Sequence, residues 1–453
     1  MRILGIETSC DETAAAVVEG QPGSTKPLKI ISCVVASSAE LQAKFGGIVP
    51  EQAARQQIKV MIPTLWECLR QMTEVGGPKT EDGDINKMRR YGDGIDAIAV
   101  TIGPGLVGSL LVGVETAKTL AYAWEKPIIP VNHLVAHLYA NFIKKNQELR
   151  ITNQEELPLF PAIGLVISGG HTDMVLMKDH RELRLIGRTR DDAAGECFDK
   201  CARMLGLPYP GGPEIAKLAD KWIFEKSKVK SQKSKFDLFP RPLSDQDNFD
   251  WSFSGLKTAV LYYLQKNKGV KLNRLRKFGR GKQDQTDLAR ISAEIQEAIC
   301  QSLIIKLSKA IKKYKPKSLL VAGGVAANKR LTQMLVQLNR GEEWKLFVPP
   351  PKLCTDNGAY IAAYAFYRYS PKDQWNLFDK MGQGMGYART MGINREDMPG
   401  MMSQLQQINY LTGVNSFGDK FLNRFNKTGV KLGQAINGPG GMVVFPGIKS
   451  ALT

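Results

Sequence analysis

The pattern of apolar and polar positions divides the chain into short β-type runs and longer segments with helical periodicity. In the first half, three β-type runs precede a helix, a strand, a second helix and a further strand; the second half also opens with three β-type runs. The first half is predicted to hold strands at 2–7, 14–19, 28–36, 96–101 and 127–131 and helices at 51–70 and 108–124. The second is predicted to hold strands at 162–168, 172–177, 183–188 and 318–322 and helices at 194–205, 212–224, 254–264 and 285–313. Two related halves predict a duplicated α/β fold, with two lobes and a cleft between them.

The predicted domain layout follows from these halves. Residues 1–150 form an N-terminal lobe and residues 151–369 a C-terminal lobe. Two polar, basic tracts near 226–250 and 266–286 contain few apolar residues and are predicted to be surface insertions. The segment 370–453 is rich in Gly, Met, Asn and Gln with weak periodicity, and forms a C-terminal extension of unknown role.

Composition and charge narrow the functional class. Of 453 residues, 43% are hydrophobic and 23% charged, which is typical of a soluble globular protein. The formal charge of +18, with basic clusters at 226–235, 266–282 and 306–317, favours a polyanionic partner, and nucleic acid over a membrane. No apolar run is long enough to span a bilayer, and the N-terminus lacks the layout of a targeting signal. The predicted location is cytoplasmic.

Two of the four histidines, His133 and His137, lie four residues apart. On a helix they share one face, so both imidazoles can bind one metal ion. Leu134 occupies the position where metalloproteases of the His-Glu-x-x-His type carry their glutamate, which disfavours peptide hydrolysis. Asp356 is the best third ligand, although it also suits the N-cap of a helix. Two histidines and one carboxylate leave coordination positions open for substrate oxygen.

Glycine-rich turns in the second half suggest a nucleotide pocket. The segment Val166-Ile-Ser-Gly-Gly-His-Thr172 is either a plain hairpin or a loop that offers hydrogen bonds to a phosphate. Asp199 lies where a carboxylate can hold a ribose, and Gly212 leaves room for a flat ring. Asn328 follows a Gly-Gly turn and is placed to bond a nucleotide. Each feature alone also fits a common strand-to-helix turn.

Eight motifs in order resemble those of the universal tRNA N6-adenosine threonylcarbamoyltransferases, formerly called O-sialoglycoprotein endopeptidases. The residues within the motifs resemble those of the bacterial members. They are Gly5-Ile-Glu-Thr-Ser-Cys-Asp-Glu-Thr13, Gly46-Gly-Ile-Val-Pro-Glu51, Gly103-Pro-Gly-Leu106, Asn132-His-Leu-Val-Ala-His137, Ser168-Gly-Gly-His-Thr172, Phe253-Ser-Gly-Leu-Lys-Thr258, Gly323-Gly-Val-Ala-Ala-Asn328 and Thr355-Asp-Asn-Gly-Ala359. The resemblance runs from Met1 to about Tyr369. One departure stands out: the family usually has a histidine two residues after an arginine, whereas here Arg55 is followed by Gln56 and Gln57.

The resemblance implies an actin-like, sugar-kinase-type fold of two lobes. It implies transfer of a threonylcarbamoyl group from threonylcarbamoyl-adenylate to N6 of the adenosine beside the anticodon, in tRNAs reading codons that begin with A, with release of AMP. It further implies one divalent metal ion per subunit, iron(II) or zinc. The partners it implies are tRNA, a paralogous non-catalytic subunit and a small ATPase.

Carried over by position, the resemblance assigns the metal to His133, His137 and Asp356. It assigns the adenylate to Val166, Ile167, Ser168, Gly169, Gly170, Asp199, Gly212 and Asn328. Asp11 and Glu12 are candidates for guiding the adenosine amine or accepting its proton. Two alternatives are an ATP-dependent kinase of the same fold, which does not explain the histidine pair, and a non-catalytic scaffold that docks tRNA.

Overall fold

The computed structural model describes residues 1–38, 40–42, 47–74, 92–144, 156–227, 236–268 and 282–368. These residues belong to one compact unit, Met1–Asn376 with Thr390–Ile393. The predicted extension 370–453 and the predicted lobe boundary at residue 150 lie outside the described residues and stay predictions.

Two five-stranded sheets form the framework. The first contains β1 (Arg2–Glu7), β2 (Glu12–Glu19), β3 (Lys29–Ser37), β4 (Ala97–Gly103) and β5 (Ile128–Asn132), in the order β3-β2-β1-β4-β5. The second contains β6 (Ala162–Ile167), β7 (Thr172–Met177), β8 (Leu183–Arg188), β9 (Ser318–Ala322) and β10 (Lys345–Phe347), in the order β10-β9-β6-β7-β8. In each sheet the first three strands are antiparallel and the last two run parallel to the first. The identical connectivity confirms the predicted duplicated, actin-like two-lobe fold.

Ten α-helices connect and cover the sheets in the described part of the chain. They are α1 (Pro50–Glu74), α2 (Val107–Trp124), α3 (His133–Tyr139), α4 (Ala194–Met204), α5 (Gly211–Ser227), α6 (Ser254–Lys268), α7 (Lys282–Tyr314), α8 (Lys329–Leu338), α9 (Pro351–Cys354) and α10 (Gly358–Arg368). The sequence pattern predicted most of them within a few residues. It missed β10 and α9, because three or four residues are too few to show a period. None of the described helices is both long and apolar enough to cross a bilayer.

Helices α3 and α10 share one hydrophobic core with both sheets. This core joins Ala99 of the first sheet and Val166 of the second to Leu138 of α3 and several residues of α10. The contact between α10 and β1 is close: a Cβ on Gly5 would lie 2.1 Å from the carbonyl oxygen of Gly358. Only glycine allows this approach, so the start of α10 lies directly on the end of β1.

The described part of the predicted insertion, residues 236–250, lies against α7. Lys306 is 1% exposed and donates to the carbonyls of Gln246 and Asn248 at 3.0 and 2.9 Å. Lys309 also donates to the carbonyl of Gln246, at 3.0 Å. The basic cluster 306–317 was expected to face a polyanion, and for Lys306 this was wrong, because its ammonium group is buried and bonded to backbone oxygens.

Candidate metal centre and adjoining loops

His133, His137 and Asp356 converge at the junction of α3 and α10. One ligand atom from each lies within 4.8 Å of the others. Asp356 Oδ1 lies 3.7 Å from His133 Nε2 and 3.4 Å from His137 Nε2. Asn132 caps α3 by accepting from the amide of Val135 at 3.1 Å, so the helix starts at His133 and directs both imidazoles to one side. The arrangement is compatible with one metal ion.

His137 provides an independent test of that fit. It is 1% exposed, and neither ring nitrogen has a hydrogen-bond partner among the described residues. Its Nε2 lies 3.4 Å from Asp356 Oδ1 without the alignment of a hydrogen bond. A buried polar atom without a partner is unfavourable, and a metal ion bound to Nε2 satisfies it. Two imidazoles and a carboxylate are donors that suit iron(II) or zinc, so the residues present fit such an ion.

Glu7 contacts the His133 ring of the triad, and the sequence analysis did not identify this role. Its Oε2 lies 3.0 Å from His133 Nδ1, and it accepts from Thr101 Oγ1 and the amide of Ser9, both at 2.5 Å. With Nδ1 bonded to Glu7, His133 keeps Nε2 for a metal ion. The signal was available, because a fully buried carboxylate at the end of an apolar strand must have bonding partners.

The carboxylates also set the charge of His133. Burial alone lowers the pKa of this imidazole, but Glu7 and Asp356 outweigh burial and raise it to about 9. Burial alone would raise the pKa of Asp356, but His133 and His137 hold it well below its usual range. At neutral pH, therefore, a metal ion must displace a proton from His133.

Asp356 is not the cap of α10, the alternative that the sequence left open. Asn357 Oδ1 accepts from the amides of Ala359 and Tyr360 at 3.0 and 3.3 Å and takes that role. Asp356 instead accepts from the hydroxyl of Tyr360 at 3.3 Å. The Tyr360 ring lies 4.5 Å from the ring of His137. Tyr360 is therefore a second residue of this centre that the sequence analysis missed.

The predicted nucleotide loop forms a hairpin between β6 and β7. The amide of Ser168 donates to the carbonyl of His171 at 2.8 Å, and the amide of His171 donates to Ser168 Oγ at 3.2 Å. Gly169 and Gly170 are exposed at the tip, with open space where a Cβ would be. Burial and the charges of the metal-site histidines lower the pKa of His171 to about 4. The loop is thus electrostatically coupled to the metal centre.

Two further turns pack against this loop. A Cβ on Gly195, at the start of α4, would lie 2.5 Å from the carbonyl oxygen of Ser168. A Cβ on Gly323, after β9, would lie 2.4 Å from the carbonyl oxygen of Ile167, and Gly323 has φ +90°. The side chains of Val166 and Ile167 are buried in the core. These two residues therefore offer only backbone groups to a ligand.

Asp199 lies within α4, whereas Gly212 lies at the start of α5 and Asn328 is the N-cap of α8. Asp199 Oδ1 accepts from the amide of Gly211 at 2.7 Å. Asn328 Oδ1 accepts from the amide of Leu331 at 3.0 Å, and its Nδ2 donates to Gln296 at 2.9 Å. Both side chains therefore have structural partners. The nearest atom to a Cβ on Gly212 would lie 3.8 Å away, which leaves space above it.

Asp11 lies in the turn between β1 and β2, and Glu12 is the first residue of β2. Glu12 Oε1 accepts from Ser37 Oγ at 2.9 Å, whereas its Oε2 is buried without a hydrogen-bond partner among the described residues. Burial and the charge of Asp11 raise the pKa of Glu12 to about 7. Burial and the charge of Asp356 raise the pKa of Asp11. The two acids therefore interact electrostatically with each other, and Asp11 interacts with the metal centre.

Comparison with known proteins identifies the family. Residues 29–363 match the family model described as tRNA N6-adenosine threonylcarbamoyltransferase. A relative of that name from Moorella thermoacetica is 41% identical over 373 residues, covering 82% of this chain and 93% of the relative. Another from Staphylococcus aureus is 40% identical, covering 81% of this chain and 91% of the relative. The chain belongs to this family.

Membership in the tRNA N6-adenosine threonylcarbamoyltransferase family confirms the predicted resemblance and makes the chain a tRNA-modifying transferase. It disfavours the kinase alternative. Among solved structures, full-length HypF in its phosphate- and nucleotide-bound form is similar at a TM-score of 0.44 and 12% identity, covering 81% of this chain and 55% of that one.

Replacing Glu7 by Gln is expected to weaken metal binding. The substitution keeps the shape of the side chain but removes the charge that orients and polarises His133, and losing such a supporting carboxylate costs about 10–100-fold in metal affinity. The measurement is the zinc dissociation constant, by competition with a chromophoric chelator. Glu19→Gln, on the neighbouring strand and paired with Arg2 at 2.7 Å, is the matched control. Equal zinc affinity in the Glu7 variant and the wild-type protein would contradict the assignment.

Proposed function

We propose that this chain transfers the threonylcarbamoyl group of threonylcarbamoyl-adenylate to N6 of the adenosine beside the anticodon, in tRNAs reading codons that begin with A. The observation that carries the proposal is the convergence of the buried His133 and His137 with the half-buried Asp356, in a chain of this family. A scaffold that only docks tRNA has no need for two imidazoles and a carboxylate that converge on one point.

The reaction joins a weak nucleophile to an activated carbonyl. The N6 nitrogen of adenosine forms a bond to the carbamoyl carbon, the bond from that carbon to the phosphate oxygen breaks, and AMP leaves with the electron pair. One N6 proton is lost. Because the anhydride is already activated, the main tasks of the protein are to position the two substrates and to stabilise developing charge.

Glu12 is the proposed acceptor of the N6 proton. Its pKa of about 7 suits proton transfer near neutral pH, and its Oε2 has no hydrogen-bond partner in the described part of the chain. Asp11, which precedes it, is proposed to guide the amine. Both residues belong to the predicted N-terminal lobe, so adenosine would approach the metal centre from the side of that lobe.

Backbone and carboxylate groups are proposed to hold the adenylate. The exposed amides of Gly169 and Gly170 suit the phosphate that leaves as AMP. Asp199 bonds the start of α5 through Oδ1, but a carboxylate has about four acceptor positions, so it can also accept ribose hydroxyls. The space above Gly212 suits adenine, and the second N–H of Asn328 Nδ2 can donate to the nucleotide.

The metal ion is proposed to be iron(II) or zinc, held by His133, His137 and Asp356. When bound, it would supply positive charge for the threonyl carboxylate and hydroxyl and for the carbamoyl oxygen. The residues around it define where that charge is placed, since Glu7 fixes His133 and Tyr360 fixes Asp356.

The family and the net charge of +18 support tRNA as the partner that supplies the adenosine. Binding to tRNA would then rest mainly on shape and phosphate contacts. A paralogous non-catalytic subunit and a small ATPase are proposed as further partners, on the strength of family membership alone.

The test uses the purified full chain, synthetic threonylcarbamoyl-adenylate, zinc or iron(II) and an unmodified tRNA transcript. Nucleoside mass spectrometry is expected to find threonylcarbamoyladenosine and an equal amount of AMP. A transcript with guanosine in place of the adenosine beside the anticodon is the control and should stay unmodified. If the matched transcript also stays unmodified when host extract supplies the partner subunits, the proposed function is wrong.

A further inference from the structure

Gln57, where the resemblance leads us to expect a histidine, lies under the turn that carries Asp11 and Glu12. It is 1% exposed on α1. Its Nε2 donates to the carbonyl oxygens of Cys10 at 3.1 Å, Glu12 at 3.0 Å and Thr8 at 3.4 Å. One amide group thus binds alternate residues of a five-residue segment, called here the 8–12 turn.

The 8–12 turn links the two parts of the proposed site. Its first residue follows Glu7, the carboxylate behind His133, and Ser9 Oγ lies 3.3 Å from His133 Nδ1. Its last two residues are the proposed proton acceptor and the acid beside it. A change in the backbone of this turn therefore moves these two carboxylates relative to the metal centre.

The remaining bonds to the turn come from the other elements around it. The amide of Leu106 donates to the carbonyl of Ser9 at 2.7 Å, and the amide of Ser38 donates to that of Asp11 at 3.2 Å. Ser109 Oγ donates to the carbonyl of Cys10 at 3.3 Å. These bonds hold the carbonyls of residues 9, 10 and 11, while Gln57 holds those of 8, 10 and 12.

We propose that Gln57 is a positioning residue that sets the backbone of the 8–12 turn, and with it the placement of Asp11 and Glu12 for transfer to adenosine. The inference rests on the proposed function for its kinetic effect. A carboxamide suits the role because its two N–H groups diverge from one nitrogen and serve several carbonyls. A histidine ring presents its N–H groups singly, so it can hold fewer of these oxygens.

Three substitutions separate the donors from the volume of the side chain. Gln57→Glu keeps the shape but places acceptor oxygens against three carbonyls. Gln57→Met keeps the length without any donor, and Gln57→His restores a donor. The adjacent Gln56, partly exposed on the same helix, gives the matched controls Gln56→Glu and Gln56→Met. All are measured well below their melting temperatures.

The expected result is a loss in kcat with little change in binding. Displacing reacting groups by about 1 Å costs on the order of 10²-fold, so Gln57→Glu and Gln57→Met should lower kcat by about that factor. The KM for the adenylate and the zinc dissociation constant should stay within about threefold, and Gln57→His should recover part of kcat. Wild-type kcat in both donorless variants, or equal falls in kcat and zinc affinity, would overturn the proposal.

Hydrogen exchange provides a second measurement that does not depend on the reaction. Backbone amides of residues 8–13 should exchange about tenfold faster in Gln57→Met than in Gln56→Met, because the turn has lost its anchor. Unchanged exchange there overturns the positioning role. If the wild-type protein forms no threonylcarbamoyladenosine even with host extract present, the proposed function fails, and the exchange data still decide whether Gln57 sets the turn.

Discussion

Replacing Asp356 by Ala is expected to remove both the bound metal and the transferase activity while the fold remains. The carboxylate is the proposed third ligand, just before α10, and without it only two imidazoles on one short helix remain. Metal charge contributes several kcal/mol to transition-state stabilisation, so activity should fall by at least about 10³-fold. Metal content is measured by elemental analysis of the purified protein, and activity by nucleoside mass spectrometry of the tRNA.

The neighbouring residue provides the control for this experiment. Asn357 caps α10 and has no contact with the imidazoles among the described hydrogen bonds. Asn357→Ala should therefore lower the melting temperature, because losing a cap costs about 1 kcal/mol, and should keep the metal. A variant of Asp356 that retains metal at wild-type stoichiometry, with unchanged turnover, would rule out the triad as the functional centre.

The triad of His133, His137 and Asp356 separates what can be predicted from the sequence from what depends on packing. The spacing of His133 and His137 predicts a shared helix face from helical geometry, and Asp356 is the third ligand that the residues favour and that the resemblance also assigns. Spacing within one helix is local information. The approach of α10 to β1 at Gly5 and Gly358 is not, because it depends on how two distant segments pack.

Glu7 and Lys306, two residues that the sequence analysis misjudged, act through such distant contacts. Glu7 bonds to His133 across 126 positions. Lys306 was grouped with surface charges because its neighbours in the chain are basic, whereas its partners Gln246 and Asn248 come from an insertion. Asp199 and Asn328 each also bond the first turn of a helix, α5 and α8 respectively, and the sequence did not predict these bonds because they depend on how the segments pack.

The second prediction with a large effect concerns Glu12, whose pKa determines how kcat depends on pH. Burial and Asp11 raise this pKa from 4.5 to about 7. Below pH 7 the carboxyl is protonated and cannot accept the adenosine proton, so kcat should rise about tenfold per pH unit up to about pH 7 and then level off. Glu12→Gln should lower the plateau by about 10²–10⁴-fold and abolish this dependence. Single-turnover rates from pH 5.5 to 8.5 measure both.

Two controls make this prediction specific. Ser37 Oγ donates to Glu12 and favours its charged form, so Ser37→Ala should move the midpoint of the pH profile upward. As the pH rises, the free energy of unfolding should fall while the transfer rate rises. Because the folded pKa of Glu12 lies above its unfolded value, ionising it costs the folded state stability as the pH rises from 4.5 through 7. Glu12→Gln removes that cost, so at pH 8 the variant should melt no lower than the wild-type protein while its transfer rate collapses. A pH profile for Glu12→Gln that matches the wild type would show that another group accepts the proton.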